Sequence, residues 1–327
     1  MDTYLKPLKE KGVRVWSISR INNFNTCPYQ YYLTYIERAK QKDGVYSKLG
    51  SACHSDLEDL YNGDSNILSP NHFNNDWQMC EIFGINFPKS RGDIKGNYKK
   101  DIDTFYNIYK KMEGEFISEL GFILKLSEKD VLMGYIDLTE ICDENSVKIY
   151  DFKTSAMFKD KKLIDAGRQL TIYQMALEQL YGLKVNQNGW IMLKYSDLQI
   201  GDNKPMIAVQ NKDLVKKSEN QLKKLMIKLG INQAMVEMYI TKCLMDNSFN
   251  CLPENIKEQI HIKTHFKEYK ITEDVKQETL NYIMNTIKAI DNMEGKIKEE
   301  WKINYNDFFC YNLCGFGNTS CNLELIK

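Results

Sequence analysis

Residues Val131 to Thr154, VLMGYIDLTEICDENSVKIYDFKT, constrain this chain more than any other stretch. Val131 to Cys142 and Val147 to Phe152 are rich in residues that favour strands. Asp143-Glu144-Asn145-Ser146 between them is polar turn sequence, so the stretch reads as a β-hairpin. The first strand carries Asp137; the second carries Asp151 and Lys153. Side chains alternate across a strand, so Asp151 and Lys153 share a face and Phe152 points the other way. Two carboxylates with a lysine beside them can hold a divalent cation and leave an ammonium near its water. Asp-x-Lys by itself is common, and in most proteins it is a solvated strand edge.

The 327 residues fit one large domain or two modest ones, enough for a substantial core. Apolar residues make up 43% and charged residues 27%, ordinary for a globular chain. The 44 basic and 44 acidic residues cancel, so a nucleic-acid partner must be met by local basic patches rather than by a global field. No signal peptide, transmembrane-length apolar run or lipidation motif is visible, which points to the cytoplasm of a bacterial or phage-infected cell and away from a membrane partner. Nine cysteines is a high count for that setting, where disulfides are disfavoured and metal or cluster ligation is open.

Ser17 or Ser19 caps a helix through Ile21, Phe24, Tyr31, Tyr32 and Tyr35, bent at Cys27-Pro28. Lys48 to Asn62 reads as a second helix, with His54 and Glu58 on one face and Cys53, Leu57, Leu60 and Tyr61 buried. Residues 63–98 read as loop with a short helix, Tyr98 to Glu119 as an amphipathic helix, and Gly121 to Leu126 as a strand pairing with Val131 onward. Lys159, Lys161 and Lys162 form either a solvated loop or a phosphate contact. Ile164 to Tyr181 reads as a helix that puts Gln169 and Tyr173 on one face. Gly189 to Tyr195 and Met206 to Gln210 read as strands, and Asp213 to Glu300 as mainly helical, broken near Asn247 to Pro253. No internal repeat or low-complexity tract is present. Cys310, Cys314 and Cys321 crowd the end of the chain, where thiolates suit zinc or an iron–sulfur cluster. The remaining cysteines are scattered, as small buried hydrophobes are.

Gly134-Tyr135-Ile136-Asp137, a turn, an apolar run and then Asp151-Phe152-Lys153-Thr154 resemble the PD-(D/E)XK nuclease superfamily, specifically its RecB-like branch. Carried over residue by residue, the resemblance implies that His54 (after Gly50), Asp137, Asp151 and the carbonyl of Phe152 hold Mg²⁺ or Mn²⁺. It implies that Lys153 is the catalytic lysine, and that Gln169 and Tyr173 match a Gln-x-x-x-Tyr motif lining the site. Cys27-Pro28 before an aromatic helix, together with the tail, is similar to cluster-bearing members of the CRISPR-adaptation and AddB types. The implied 4Fe-4S ligands are Cys27, Cys310, Cys314 and Cys321. Three residues separate Cys310 and Cys314, where the family more often has two, so zinc or merely buried thiols stay open.

The fold implied is α/β, a small mixed β-sheet flanked by helices in a restriction-endonuclease-like core, with a large helical insertion and a cysteine-ligated C-terminal tail. The expected divisions are 1–45, a helical segment carrying Cys27; 46–210, the nuclease core; 211–300, the insertion; and 301–327, the tail packed on the first segment. The function implied is a metal-dependent DNA nuclease, exonucleolytic, serving recombination, repair or replication, with DNA and a protein of such a complex as partners. The alternative is a nuclease-fold scaffold or DNA-binding subunit of a recombination or CRISPR-adaptation complex. A zinc-binding transcription factor is disfavoured, because the tail has no paired Cys-x-x-Cys.

Overall fold

The computed structural model describes residues 2–89, 92–317 and 319–321. Helix α1 (Asp2–Glu10) leads into strand β1 (Arg14–Trp16). Ser17 then caps α2 (Ile18–Thr26) by accepting from the Arg20 N–H. Cys27-Pro28 breaks the helix; α3 (Pro28–Tyr31) restarts with proline in its first turn and runs into a π-helical turn, Tyr32–Ile36. Next come α4 (Val45–Asn62), α5 (Asn71–Ile82) and α6 (Ile94–Ile108). The antiparallel unit of β2 (Glu115–Lys125), β3 (Asp130–Asp143) and β4 (Ser146–Lys153) follows. Helix α7 (Asp160–Tyr181) leads to β5 (Lys184–Ile200), ending at Gly182, whose φ of 65° is the left-handed cap that lets the chain turn into the strand.

The helix expected from Tyr98 to Glu119 is corrected: it stops at Ile108, and Glu115 onward is strand. Phe116, Ile117, Phe122 and Ile123 suit a strand, and Met112-Glu113-Gly114 breaks the helical pattern before them. After β6 (Met206–Gln210) come α8 (Leu214–Lys228), α9 (Gln233–Asp246), α10 (Glu254–Lys257), β7 (Ile260–Glu268), α11 (Glu273–Asp291) and α12 (Asp307–Asn312). The helical reading of Asp213 to Glu300 is corrected at β7, an alternating run that pairs antiparallel with β5 from Gly189 to Ile200.

The seven strands among the described residues make one mixed sheet, larger than expected, in which β1 and β3 are parallel, as are β4 and β5, while the other pairs are antiparallel. Helices cover both faces. Trp190 and Met192 of β5 face α2, α7 and α11, whereas Ile191 and Leu193 face α4 and α6. A third cluster gathers α8, α9 and α10 on Leu198 and Ile200 of β5. The stretch after residue 210 therefore contributes to the central sheet through β7 and to the first core through Ile283, Ile287 and Ile290 of α11.

Strand β3 shares one edge between two neighbours. Strand β1 takes Asp130 to Leu132 and β4 takes Leu138 to Asp143, leaving Met133 to Asp137 without a main-chain partner on that side. The β1 end is pinned by Asp130, a buried carboxylate that accepts from Arg14 Nε (2.8 Å), Trp16 Nε1 (2.8 Å) and Ser127 Oγ (3.0 Å). Burial would raise this carboxyl, but the hydrogen bonds from Arg14, Trp16 and Ser127 outweigh it and hold the group below the ordinary 3.8. Asp130→Asn should lower stability by about 1–3 kcal/mol at neutral pH. A depressed folded pKa gives stability that is present above the unfolded value and lost as pH falls through the folded one. The gap between wild type and variant, measured by urea unfolding, should therefore close as the pH drops below 3.8.

Candidate active site

The site forms where β3 and β4 part. Their ladder ends at Leu138↔Tyr150, so the Phe152 N–H has no main-chain partner on β3. It donates instead to Asp137 Oδ2 at 2.8 Å. His54, carried across the sheet by α4, places Nε2 3.0 Å from the Phe152 carbonyl and Nδ1 3.4 Å from Asp137 Oδ2. The imidazole thus spans a carbonyl and a carboxylate, two of the groups a cation would take. Gly50 lies one turn earlier on α4, where an added Cβ would sit 3.4 Å from Thr154 Oγ1, an ordinary contact.

Asp151 is 0% exposed, and neither of its oxygens has an aligned hydrogen-bond donor. Lys153 Nζ is 2.6 Å from Oδ2, a bare ion contact. Burial pushes the Asp151 carboxyl up to about 6, with Asp137 adding to the rise and Lys153 opposing it. For Lys153, burial alone would lower the pKa, but Asp151 and Asp137 outweigh it and hold the group above its ordinary value, so the side chain stays an ammonium. Lys153 Nζ also donates to Gln169 Oε1 at 3.1 Å, and Gln169 Nε2 donates to the Tyr173 hydroxyl. Tyr173 is buried and stays a phenol, its pKa driven up by burial and by Asp151. The four-residue step on α7 thus stacks Gln169 and Tyr173 behind Lys153.

Glu119 joins this group, and sequence reading missed it because the residue was assigned to a helix. It lies in β2 with a φ of 50°, the left-handed region that non-glycine residues rarely adopt. The β2–β3 ladder runs from Ser118↔Leu138 to Leu120↔Ile136 and skips Glu119 and Asp137. Even-numbered residues change faces there: Phe116 packs with α4 and α6, whereas Phe122 and Leu124 pack under α7. His54, Glu119 and Asp137 bring ligand atoms within 4.8 Å of one another, a grouping able to hold a metal ion among the described residues. Burial raises the Glu119 carboxyl, and repulsion from Asp137 and Glu58 raises it further. Asp151 stands outside that three-residue grouping. A strained glutamate in a strand has no local sequence signature.

Lys159 precedes α7, and Lys161 and Lys162 occupy its first exposed turn rather than a loop. Cys27, Cys310, Cys314 and Cys321 line one small cavity with Tyr29, Leu33 and Phe316. No three of their sulfurs lie within 4.8 Å of one another, so they do not form a single-ion site. Burial raises the Cys321 thiol to about 11, with further push from Cys314, Cys27 and Cys310. A cavity of about 590 Å³ opens elsewhere, between α6, the α9–α10 connection and β7, and contains none of these residues.

A sequence model of the PD-(D/E)XK nuclease superfamily matches residues 15–319. The chain belongs to that superfamily. No curated protein matches it. The mixed sheet flanked by helices is consistent with a restriction-endonuclease-like core, and no helix among the described residues is long and apolar enough to cross a membrane.

A group in which Asp137 and Asp151 crowd one ammonium, that of Lys153, and Glu119 adds a further carboxylate fits a divalent cation, which would supply the balancing positive charge. Mn²⁺ should therefore raise the unfolding temperature, with about 2.7 kcal/mol gained at a hundredfold excess over its Kd. The shift should vanish in His54→Ala and Asp137→Asn and shrink in Glu119→Gln. A Glu119→Gln titration that overlays wild type would remove Glu119 from the ligand set.

Proposed function

We propose that this chain is a metal-dependent deoxyribonuclease of the RecB-like branch, cutting exonucleolytically and serving recombination, repair or replication alongside a protein partner. The observation that carries the reading is Asp151: a fully buried carboxylate 2.6 Å from the Lys153 ammonium and pressed by the Asp137 charge. His54, Asp137, Asp151 and the Phe152 carbonyl would hold Mg²⁺ or Mn²⁺, with Glu119 as an added carboxylate; the imidazole makes Mn²⁺ the better assay metal. Bound there, the cation would polarise a phosphoryl oxygen and lower the pKa of a water.

The chain's own residues supply the rest. Lys153, held by Asp151 and Gln169, keeps a positive charge where negative charge grows on the reacting phosphate. Tyr173 fixes the Gln169 amide, and Gln169 fixes the lysine's direction. Lys159, Lys161 and Lys162 are exposed and make no ion pair among the described residues, leaving them free to contact backbone phosphates near the amino end of α7.

A second part of the proposal is structural. Cys27, Cys310, Cys314 and Cys321 would hold a 4Fe-4S cluster that ties the two ends of the chain together. Their convergence on one cavity supports this. The Asn306 N–H directed at Cys310 Sγ (3.5 Å) is the kind of contact that tunes such thiolates.

Labelled single- and double-stranded DNA incubated with Mg²⁺ or Mn²⁺ tests the activity. Wild type should cleave, Asp151→Asn should not, Lys153→Ala should lose on the order of a hundredfold in rate, and Gln169→Ala should lose less. Intact wild type that cuts neither substrate would leave a nuclease-fold scaffold. Replacing Lys159, Lys161 and Lys162 with alanine should weaken DNA binding and flatten its salt dependence. Anaerobically purified protein should be brown and carry iron that Cys27→Ala loses; colourless, iron-free, folded protein would dismiss the cluster.

A further inference from the structure

Cys243 and Cys251 place their sulfurs 3.3 Å apart, away from both the carboxylate gap and the cavity of the tail cysteines. Cys243 sits in the last turn of α9, which ends at Asn247 in a left-handed cap with a φ of 45°. The N–H groups of Asn247 and Ser248 both donate to the Cys243 carbonyl. A turn closed by the Leu252 N–H on the Phe249 carbonyl then sends the chain back. Phe249 and Leu252 anchor that return in the third core, and Cys251 between them is carried over the end of α9. Cys243 is fully buried there, whereas Cys251 stays half-buried. No histidine or carboxylate joins the two thiols in a metal-binding group among the described residues.

Two thiols in contact can instead bond to each other, which takes an approach from 3.3 Å to about 2.0 Å. We propose that Cys243 and Cys251 form a modification site, a dithiol that a low-molecular-weight disulfide of the glutathione type converts reversibly to a disulfide. Cys251 opens the exchange, because it is the thiol that solvent reaches. Burial pushes the Cys243 thiol up to about 12, with Cys251 adding to the rise, so Cys243 holds its proton until the second step. In the first step Cys251, as thiolate, attacks one sulfur of oxidised glutathione and releases one glutathione thiol. In the second, Cys243 attacks the Cys251 sulfur of the mixed disulfide, loses its proton and releases the other glutathione. One protein sulfur–sulfur bond replaces that of glutathione, and two electrons and two protons pass to the glutathione. The new bond fastens the α9–α10 connection, whose residues Asp246 to Asn250 wall the cavity of about 590 Å³. Asn247 already hangs this segment from the sheet: it donates to the Asn211 carbonyl at 2.9 Å, and Asn211 donates to the Leu193 carbonyl of β5.

The test is a thiol map of the full-length protein held in glutathione buffers of increasing oxidised fraction, then denatured in iodoacetamide and digested with trypsin. Cleavage after Lys242 and Lys257 releases one peptide that holds Cys243 and Cys251 and no other cysteine. In oxidised buffer this peptide should lose both alkyl groups and weigh two hydrogen atoms less than the dithiol form; dithiothreitol should restore both. The exposed Cys142 reports oxidant access by taking up glutathione. Cys243→Ala should stop at the mixed disulfide on Cys251, and the half-buried Cys251→Ser, the safer variant for folding, should leave Cys243 open to alkylation. Amide hydrogen exchange from Asn247 to Leu252 should slow on oxidation of wild type and not of Cys251→Ser. Wild type whose Cys243 and Cys251 are both alkylated in a buffer that modifies Cys142 would overturn the site, as would wild type that stops at the mixed disulfide. A disulfide that leaves amide exchange unchanged would overturn its fastening role.

Discussion

One hydrogen bond organises the centre of this protein: the Phe152 N–H to the Asp137 carboxylate. Where β3 and β4 separate, a strand would ordinarily leave an unpaired amide, at a cost comparable to a lost hydrogen bond. Asp137 fills that vacancy from the side chain. The bond turns a break in the sheet into a fixed opening, and it sets the direction of the Phe152 carbonyl, to which His54 is aimed. Had the ladder continued to Ile136↔Phe152, the carboxylate would have no backbone partner and the imidazole no gap to enter.

The opening concentrates negative charge. Asp137, Asp151 and Glu119 converge, with Glu58 near enough to push on Glu119. Lys153 balances part of this, and burial works against Asp151 in its charged form. Such a group is poorly satisfied by the chain alone, which is the physical reason to read it as a receptor for cations and phosphates rather than as a stabilising ion-pair network. Asp130 is the useful contrast: also buried, it takes hydrogen bonds from Arg14, Trp16 and Ser127 and is held below its ordinary pKa. It pins β1 to β3 and leaves nothing over for a ligand.

The segment around Phe24 to Leu33 meets the segment from Trp301 to Cys321 at the first core and the small cluster beside it. Trp301 stacks on Tyr31 at 6.0 Å and packs edge-on against Phe24, while Leu33 shares a small cluster with Cys310, Phe316 and Cys321. Helix α11 passes Ile283, Ile287 and Ile290 through the same core as α2 and α7. The segment that carries Cys27 is therefore fastened to the rest by aromatic packing independently of whatever the thiols bind.

Features set by local periodicity were legible in the sequence. Alternation along β4 puts Asp151 and Lys153 on one face, and the four-residue step on α7 puts Gln169 above Tyr173, because both repeats are properties of the backbone itself. The hairpin turn was equally local: Asp143 accepts from Asn145 and Ser146, as a polar turn residue does. Tertiary structure alone decided the rest. Glu119 enters the site only because β2 takes a left-handed step opposite Asp137, and φ there answers to strand packing rather than to the sequence around it. Strand β7 begins sixty residues after the end of the strand it pairs with, and the distances among Cys27, Cys310, Cys314 and Cys321 depend on contacts across nearly the whole chain. Local pattern fixes which way a side chain leaves the backbone; what it meets there is set by segments far away in sequence, whose approach depends on the summed packing of the core.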